Sequence, residues 1–253
     1  MKPFKLLFPL LVFAFSLIAL PSSVLAVARK KGAKSALAGG SFSMGFGISL
    51  LTAEQNGLNS LIASAKAQAP GGGVSTGDLS SGMEYSGQFT FHFSNDLVSI
   101  QLRPSYFTQS ASGSGTDGDY SYKLTGFTIF PLVRITPLSN DIINFYLQSG
   151  IGYGQLRGDI TNGPRNVSFV GSDFGIQIGL GADFCLTPEN CFGIEGNYRY
   201  LPMQRNIVRS SSALAPYGVS QAIPDRELED ASGKDIATTM NGISGNLNYT
   251  FNF

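Results

Sequence analysis

The chain has 253 residues, with 17 basic and 17 acidic side chains, so its formal net charge at pH 7 is zero. Only 13% of the residues are charged, against about 25% in average globular domains. This composition lacks the strongly basic field that nucleic-acid binding needs. The length suits one large β-domain or two small ones.

The first segment, residues 1–26, has the pattern of a secretory signal peptide. Lys2 and Lys5 precede an apolar run at residues 6–20, which is too short and too broken by Pro9 for an ordinary membrane span. Small residues up to Ala26 predict cleavage after that residue. An uncleaved anchor helix is the alternative.

Residues 27–38 form a basic stretch before the first predicted strand. Short charge runs are usually solvated, so we expect a leader in the periplasm; contact with acidic lipid headgroups or with peptidoglycan is the alternative. No later stretch reaches about 18 continuous apolar residues, so the sequence predicts no transmembrane helix. An exported chain of this kind stays in the periplasm, leaves the cell or inserts as a barrel.

From residue 39 onward, segments of about ten residues alternate apolar and polar side chains, which is the period of a strand with one apolar face. The predicted strands span residues 39–51, 83–94, 97–108, 120–135, 142–156, 172–185, 191–201 and 242–253. Long loops follow the odd-numbered strands and short turns follow the even-numbered ones. This alternation is typical of bacterial outer-membrane barrels.

Two local patterns interrupt the alternation. Helical spacing of apolar residues predicts a short helix within residues 53–68, and Thr52 with Gln55 resembles a capping box. In the fourth predicted strand, Tyr120 is expected to face outward, but residues 127–133 are apolar on both faces. We therefore predict a bulge near Gly126, where the phase slips by one residue.

The last predicted strand has apolar side chains at alternate positions and ends on an aromatic residue. It resembles the closing strand of bacterial outer-membrane barrels, where such a pattern is the signal that the assembly machinery reads. An amphipathic strand of a soluble β-protein is the alternative. The residues assigned to this C-terminal assembly signal are Ile243, Leu247, Tyr249, Phe251 and Phe253.

Together with this strand, the Gly-Ile-Gly-Tyr-Gly run at residues 150–154 and the Ile-Gly-Leu-Gly-Ala-Asp run at residues 178–183 resemble small outer-membrane β-barrels. The resemblance, to the OmpW, OmpX and OmpA-transmembrane-domain type, covers residues 39–253. It implies an all-β fold: a transmembrane, antiparallel, up-and-down β-barrel of about eight strands in the bacterial outer membrane. Both barrel termini would then be periplasmic.

The inward faces of the predicted strands carry several charged side chains. A narrow barrel would bring these groups together, so most of them should pair and fill the interior. A charged constriction lining a narrow pore is the alternative. The predicted interior charge cluster consists of Glu84, His92, Arg103, Lys123, Asp183, Glu195 and Arg199.

His92 is the only histidine, and the His-Phe-Ser sequence at residues 92–94 resembles the His-x-Ser piece of lipid A deacylase barrels. However, His92 has inward parity and lies near a short turn, and no Glu is suitably placed to serve it. These features favour an interior polar residue over a catalytic one. Cys185 and Cys191 flank a turn with the same parity. In an oxidising compartment we expect a disulfide between them and no metal site.

Three hypotheses for function follow. The first is a membrane-embedded scaffold whose long loops, residues 52–82 and 202–235, face outward. The second is a narrow porin-like channel for ions or small molecules, and the third is a lipid A-modifying enzyme. We favour the first, without enzyme activity, cofactor or nucleic-acid partner. The expected partners are outer-membrane lipid including lipopolysaccharide and the barrel-assembly machinery, and the chain should be a monomer.

Overall fold

The structure is a computed structural model that describes residues 41–93, 97–140, 142–220 and 222–253. The predicted signal peptide and basic leader, residues 1–26 and 27–38, lie outside the described residues. Within the described ranges, no helix is long and apolar enough to cross a membrane.

Strands dominate the described part of the chain. One α-helix, α1 (Asn56–Gln68), and a 3₁₀ turn (Pro70–Gly72) follow the first strand. The strands are β1 (Ser41–Thr52), β2 (Ser81–His92), β3 (Val98–Gly115), β4 (Gly118–Ser139), β5 (Ile143–Asn162), β6 (Arg165–Thr187), β7 (Asn190–Tyr200), β8 (Pro202–Met203), β9 (Asn206–Ser211), β10 (Thr238–Thr239) and β11 (Gly242–Asn252).

Eight of these strands close into an antiparallel barrel. Each of β1 to β7 pairs with its neighbour along the chain, and β11 pairs with both β7 and β1. The register places Leu247 of β11 opposite Ile48 on one side and Ile194 on the other. Every strand of the ring is therefore paired along both edges, which is the predicted up-and-down barrel.

The outer wall of the barrel is apolar over a continuous band. Phe46, Leu50, Leu180, Ile194 and Leu247 are each 59–64% exposed on the outward face. Side chains between them in sequence point inward and are mostly polar, as the alternation predicts. Monomeric soluble proteins rarely expose so large an apolar surface, so the exterior is built to face lipid.

The strands β3 to β6 are 18 to 23 residues long and extend well past the apolar band. The long loops predicted after the third and fifth strands are therefore wrong, because their Gly- and Ser-rich sequences still pair and end in tight hairpins. Gly118 (φ 129°) and Gly163 (φ 56°) lie at these tips in a backbone region that favours glycine. Long connections remain only at residues 53–80 and 201–241 of the described chain.

The predicted bulge near Gly126 is also wrong. Gly126 lies in unbroken register between Phe107 and Leu156, and the irregularity in β4 falls between Ile135 and Leu138 instead. Tyr120 consequently faces inward and is fully buried, as are its neighbours of the same parity. The alternation looked broken because the interior of this half of the barrel is itself apolar.

That apolar interior is the main hydrophobic core. Leu58, Leu61 and Ile62 of α1 point into the barrel and pack with inward side chains of the long strands and with the 201–241 connection. The barrel and connection members of this core include Phe107, Tyr122, Leu124, Phe130, Leu156, Phe169, Val208, Leu228, Ile236 and Met240. Burying each large side chain of α1 contributes about 1.5–3 kcal/mol, which fixes the helix inside the mouth.

At the opposite end the barrel is closed by short turns. Cys185 and Cys191 are directly opposite each other on β6 and β7 and form the predicted disulfide. Cys191 is in turn opposite Thr250 of the closing strand β11. We call this the short-turn end, and the end that carries α1 the long-loop end.

The lipid-facing wall makes a stability prediction. Leu247 lies in the middle of the outward face of β11 and is 61% exposed. Leu247→Arg should lower the free energy of unfolding from lipid vesicles by about 2–4 kcal/mol, because a charge would enter the bilayer near its midplane. Urea titration of the vesicle-folded protein measures this change. Leu214→Arg is the matched control, since Leu214 is 52% exposed on the 201–241 connection and should change little; equal effects would contradict a lipid-facing band.

Candidate functional site

Glu195 is the centre of the polar half of the barrel interior. Its side chain is fully buried, and Arg103 binds both carboxylate oxygens in a bidentate pair, with Nη2 2.7 Å from Oε2. Tyr146 donates its hydroxyl to Oε2 at 3.0 Å, and the Asn197 amide donates to Oε1 at 2.5 Å. The register of β3, β5 and β7 therefore gathers three side chains and four hydrogen bonds around one carboxylate, as burial of a charge requires.

A second ion pair lies beside it. The Arg134 guanidinium is 3.1 Å from Asp183 and 3.9 Å from Glu195, and it stacks 3.6 Å from the centre of the Tyr146 ring. Two arginines thus balance two carboxylates in one layer across the barrel. Planar guanidinium groups suit this role because they bind carboxylates and stack on rings at once.

A third pair marks the boundary between the polar and apolar halves. Arg199 is 2.7 Å from Glu84, and its Nε donates to the backbone oxygen of Met240 at 2.8 Å. Both charged side chains are less than a tenth exposed. Arg199 therefore joins the interior charges to the connection that covers the long-loop end.

The structure brings five of the seven residues of the predicted cluster into these three pairs. His92 lies apart, half-buried near the short-turn end, with Nε2 3.1 Å from Ser43 Oγ. Lys123 is exposed on the outer wall, so its assignment to the interior is wrong: Tyr122 and Leu124 on either side of it face inward, opposite to the expected parity. Arg134, which the predicted cluster did not include, shares the inward parity of Tyr122 and is buried.

We call the folded structure formed by residues 53–80 and 201–241 the cap. Gln55, fully buried, joins its two segments: its amide donates to the Thr239 oxygen at 2.7 Å and accepts from the Thr239 nitrogen at 3.0 Å. The same amide reaches Gln109 of β3 at 3.1 Å. The predicted capping box is wrong, because α1 begins at Asn56 without a side-chain cap and Gln55 instead anchors the cap to the barrel.

The hairpin tips of the long strands hold the far side of the cap. Asp117, in the β3–β4 turn, accepts hydrogen bonds from Tyr120 at 2.6 Å and from Tyr217 of the cap at 3.0 Å. Hydrogen bonding, first from Tyr120, lowers the pKa of Asp117 below its usual value. Arg165 lies over the Tyr217 ring, 4.5 Å from its centre. Through Tyr217, an ionised Asp117 therefore holds the cap against the hairpin tips of the long strands.

The charge pairs and the cap stabilise different halves of the barrel interior. The charge pairs occupy the half of the interior nearer the short turns, and the apolar core with the cap occupies the other half. In the described residues, buried side chains therefore occupy both halves of the interior. The arrangement suits a barrel that serves as a scaffold for the folded cap at its long-loop end.

The central carboxylate makes a prediction on stability. Glu195→Ala should lower the free energy of unfolding by about 3–5 kcal/mol, because it leaves Arg103 buried without its partner and weakens Arg134. Chemical denaturation in detergent or vesicles measures the loss. Asp159→Ala provides the control: Asp159 pairs with Arg157 at 3.5 Å, but the side chains are 45% and 64% exposed, so at most about 1 kcal/mol should be lost. Similar losses would argue against a buried ionic layer.

The Asp117 anchor makes a prediction on pH. A carboxyl group with a lowered pKa stabilises the folded cap at neutral pH, and this contribution disappears as pH falls from about 4 through its folded-state pKa. On acidification, backbone amides near Tyr217 should therefore lose protection: their hydrogen exchange should rise relative to the intrinsic rate of an unfolded amide at the same pH. Asp117→Asn should show fast exchange already at neutral pH. Asp225→Asn is the control, since Asp225 is an exposed partner of Arg209; a wild-type cap with no acid response would contradict the assignment.

Comparison with known proteins gives the fold. No protein-family model matches the sequence, and no curated protein matches it. Among solved structures, the outer membrane protein OprG from Pseudomonas aeruginosa superposes with a TM-score of 0.55 at 14% identity, covering 85% of this chain and 96% of that one.

Two further barrels match more weakly. Ail of Yersinia pestis, in complex with the heparin analogue sucrose octasulfate, gives a TM-score of 0.38 at 15% identity over 86% of this chain and 100% of its own. The outer membrane protease OmpT of Escherichia coli gives 0.37 at 8% identity over 88% and 99%. These two scores are too low to support an argument, and the OprG match concerns the fold alone. The closed eight-stranded ring, its apolar outer wall and the OprG superposition together identify the chain as a protein with the fold of the small bacterial outer-membrane β-barrels.

Proposed function

We propose that this chain is an outer-membrane protein whose barrel does not conduct and whose cap is a binding surface at the cell exterior. In outer-membrane barrels the short turns lie in the periplasm and the longer connections outside. The first described strand begins, and β11 ends, at the short-turn end, so both barrel termini would be periplasmic. The cap would then face the surroundings of the cell.

The observation that carries this proposal is the filled interior. The ionic layer around Glu195 is buried on all sides, and α1 packs its apolar face into the mouth above it. A channel for ions needs a continuous hydrated path between its two ends. A pore would require α1 and the ionic layer to rearrange together.

We further propose that the protein is not an enzyme. His92, the residue that motivated a lipid-modifying activity, is at the short-turn end of β2 and close to Ser43. In the proposed orientation this end lies away from the outer leaflet, where lipid A is located. Its place on the inward face supports a role in the polar lining.

The proposed partners follow from the outer wall. The exposed apolar band would contact membrane lipid, including lipopolysaccharide in the outer leaflet. Phe251 and Phe253, 41% and 72% exposed at the end of β11, would serve as the signal for the barrel-assembly machinery. A ring paired along every edge supports a monomer.

Planar-bilayer recording tests the closed barrel. The chain starting at Val27, refolded and verified as inserted by its heat-modifiable migration on a gel, should give no single-channel steps. Arg199→Ala should lower stability and stay silent, because the apolar core above it remains in place. Steady, ion-selective steps from the wild type, or new conductance in Arg199→Ala but not in the outer-wall control Arg157→Ala, would instead support a pore.

A further inference from the structure

A cleft of about 1000 Å³ opens at the long-loop end, between α1 and the last part of the cap. One wall is the polar face of α1, which presents Asn56, Ser60 and Ser64. The other wall is the turn at residues 230–235, and Tyr198 of β7 also lines the cleft. This cleft is separate from the ionic layer, and its volume lies at the upper end of the range for small-molecule sites, about 300–1,000 Å³.

The two walls approach each other closely at two glycines. A Cβ atom on Gly57 of α1 would lie 2.5 Å from the backbone oxygen of Ala237, and one on Gly218 would lie 2.7 Å from Ser64. The helix therefore contacts the 201–241 connection closely at two points. A cleft framed in this way is already formed before a ligand arrives, which lowers the entropic cost of binding.

The turn in the second wall is also ordered. Asp230 accepts hydrogen bonds from the backbone nitrogens of Ser232 at 2.8 Å and Lys234 at 3.0 Å, and from the Ser232 hydroxyl at 2.6 Å. These bonds, first that of the Ser232 side chain, lower the pKa of Asp230. All three bonds use Oδ1 of Asp230, so this oxygen orders the turn.

Other polar groups around the cleft are available. Among the described residues, the side chains of Glu54 and Asn56 make no hydrogen bond, and both are exposed to the opening. A carboxylate and an amide together offer acceptors and donors. Tyr198, 46% exposed, adds an aromatic surface with an apolar face and a polar tip.

The acidic lining of the cleft favours neutral ligands over anionic ones. Its lining carries Glu54, Asp230 and Asp235 but Lys234 as the one basic side chain. Burial, followed by the neighbouring Glu227, raises the pKa of Asp235. Phosphate or sulfate groups would be repelled, whereas hydroxyl groups can donate to the carboxylates and accept from the amide.

We propose that this cleft binds an uncharged saccharide. The inference rests on the proposed function, because it needs the cap to face the exterior. Tyr198 belongs both to the cleft and to the outward face of β7, so the sugar can come from a membrane glycolipid or from a soluble glycan. In either case hydroxyl groups bind Glu54 and Asn56, and a sugar ring stacks on Tyr198.

Isothermal titration of the full refolded chain in neutral detergent tests this assignment. Maltohexaose is the soluble neutral probe, and sucrose octasulfate is the anionic probe. Maltohexaose or the vesicle-bound neutral glycolipid described below should bind, and the octasulfate should not. Glu54→Ala and Asn56→Ala should each weaken binding about tenfold. Ser112→Ala, on the exposed outer wall of β3, is the matched control and should leave binding unchanged.

A second arm identifies the source of the sugar. Vesicles containing an uncharged diglycosyl diacylglycerol, compared with vesicles of the same phospholipid without it, report whether the membrane supplies the ligand. Binding to the glycolipid vesicles only, lost in Glu54→Ala, assigns the cleft to glycolipid; binding to maltohexaose assigns it to free glycans. Either result supports the proposal. Equal binding of the octasulfate, no binding in either arm, or full binding by both variants overturns it.

These outcomes separate this inference from the proposed function. A chain that is silent in bilayers yet binds no saccharide overturns the saccharide site alone. A chain that conducts ions overturns the closed barrel, whether or not it binds sugar.

Discussion

The pairing of Arg103 with Glu195 is the interaction on which the interior depends. Alternation along eight strands forces one side chain in two into a narrow barrel, so charges that face inward lose their water. They are tolerated because β3, β4, β6 and β7 place arginines and carboxylates at matching heights. Apolar replacements of similar shape could be as stable, so this layer serves to fill the barrel and set which strands face each other.

The other half of the interior follows the opposite chemistry. Here the inward side chains are apolar because α1 and the 201–241 connection supply apolar partners from above. The cap is therefore part of the core, fastened at Gln55 on one side and at Asp117 on the other. A surface held this firmly can keep a binding cleft in shape without a ligand.

The sequence predicts most of the barrel because strict alternation determines which face of each strand meets lipid. Strand number, the closing strand, the disulfide and the helix near residues 56–68 are confirmed in the structure. The errors in β4 have one physical origin: where both faces of a strand are apolar, as at residues 127–133, periodicity no longer distinguishes the inward face from the outward face. This ambiguity misplaced Tyr120 and Lys123. The hairpins at Gly118 and Gly163, and the contacts of Gln55, depend on pairing between distant segments, which local patterns do not encode.

The central claim is that side chains fill the barrel along its height, and thiol labelling tests it most directly. Ser105, 5% exposed on the inward face of β3, hydrogen-bonds Thr128 at 2.6 Å just above the ionic layer. In a background with Cys185→Ser and Cys191→Ser, Ser105→Cys should resist a charged, water-soluble thiol reagent added to both sides of the membrane, whereas Ser112→Cys on the exposed wall should react at once. Rapid modification of Ser105→Cys in the folded protein would mean that water and solutes enter the barrel, and would contradict this account.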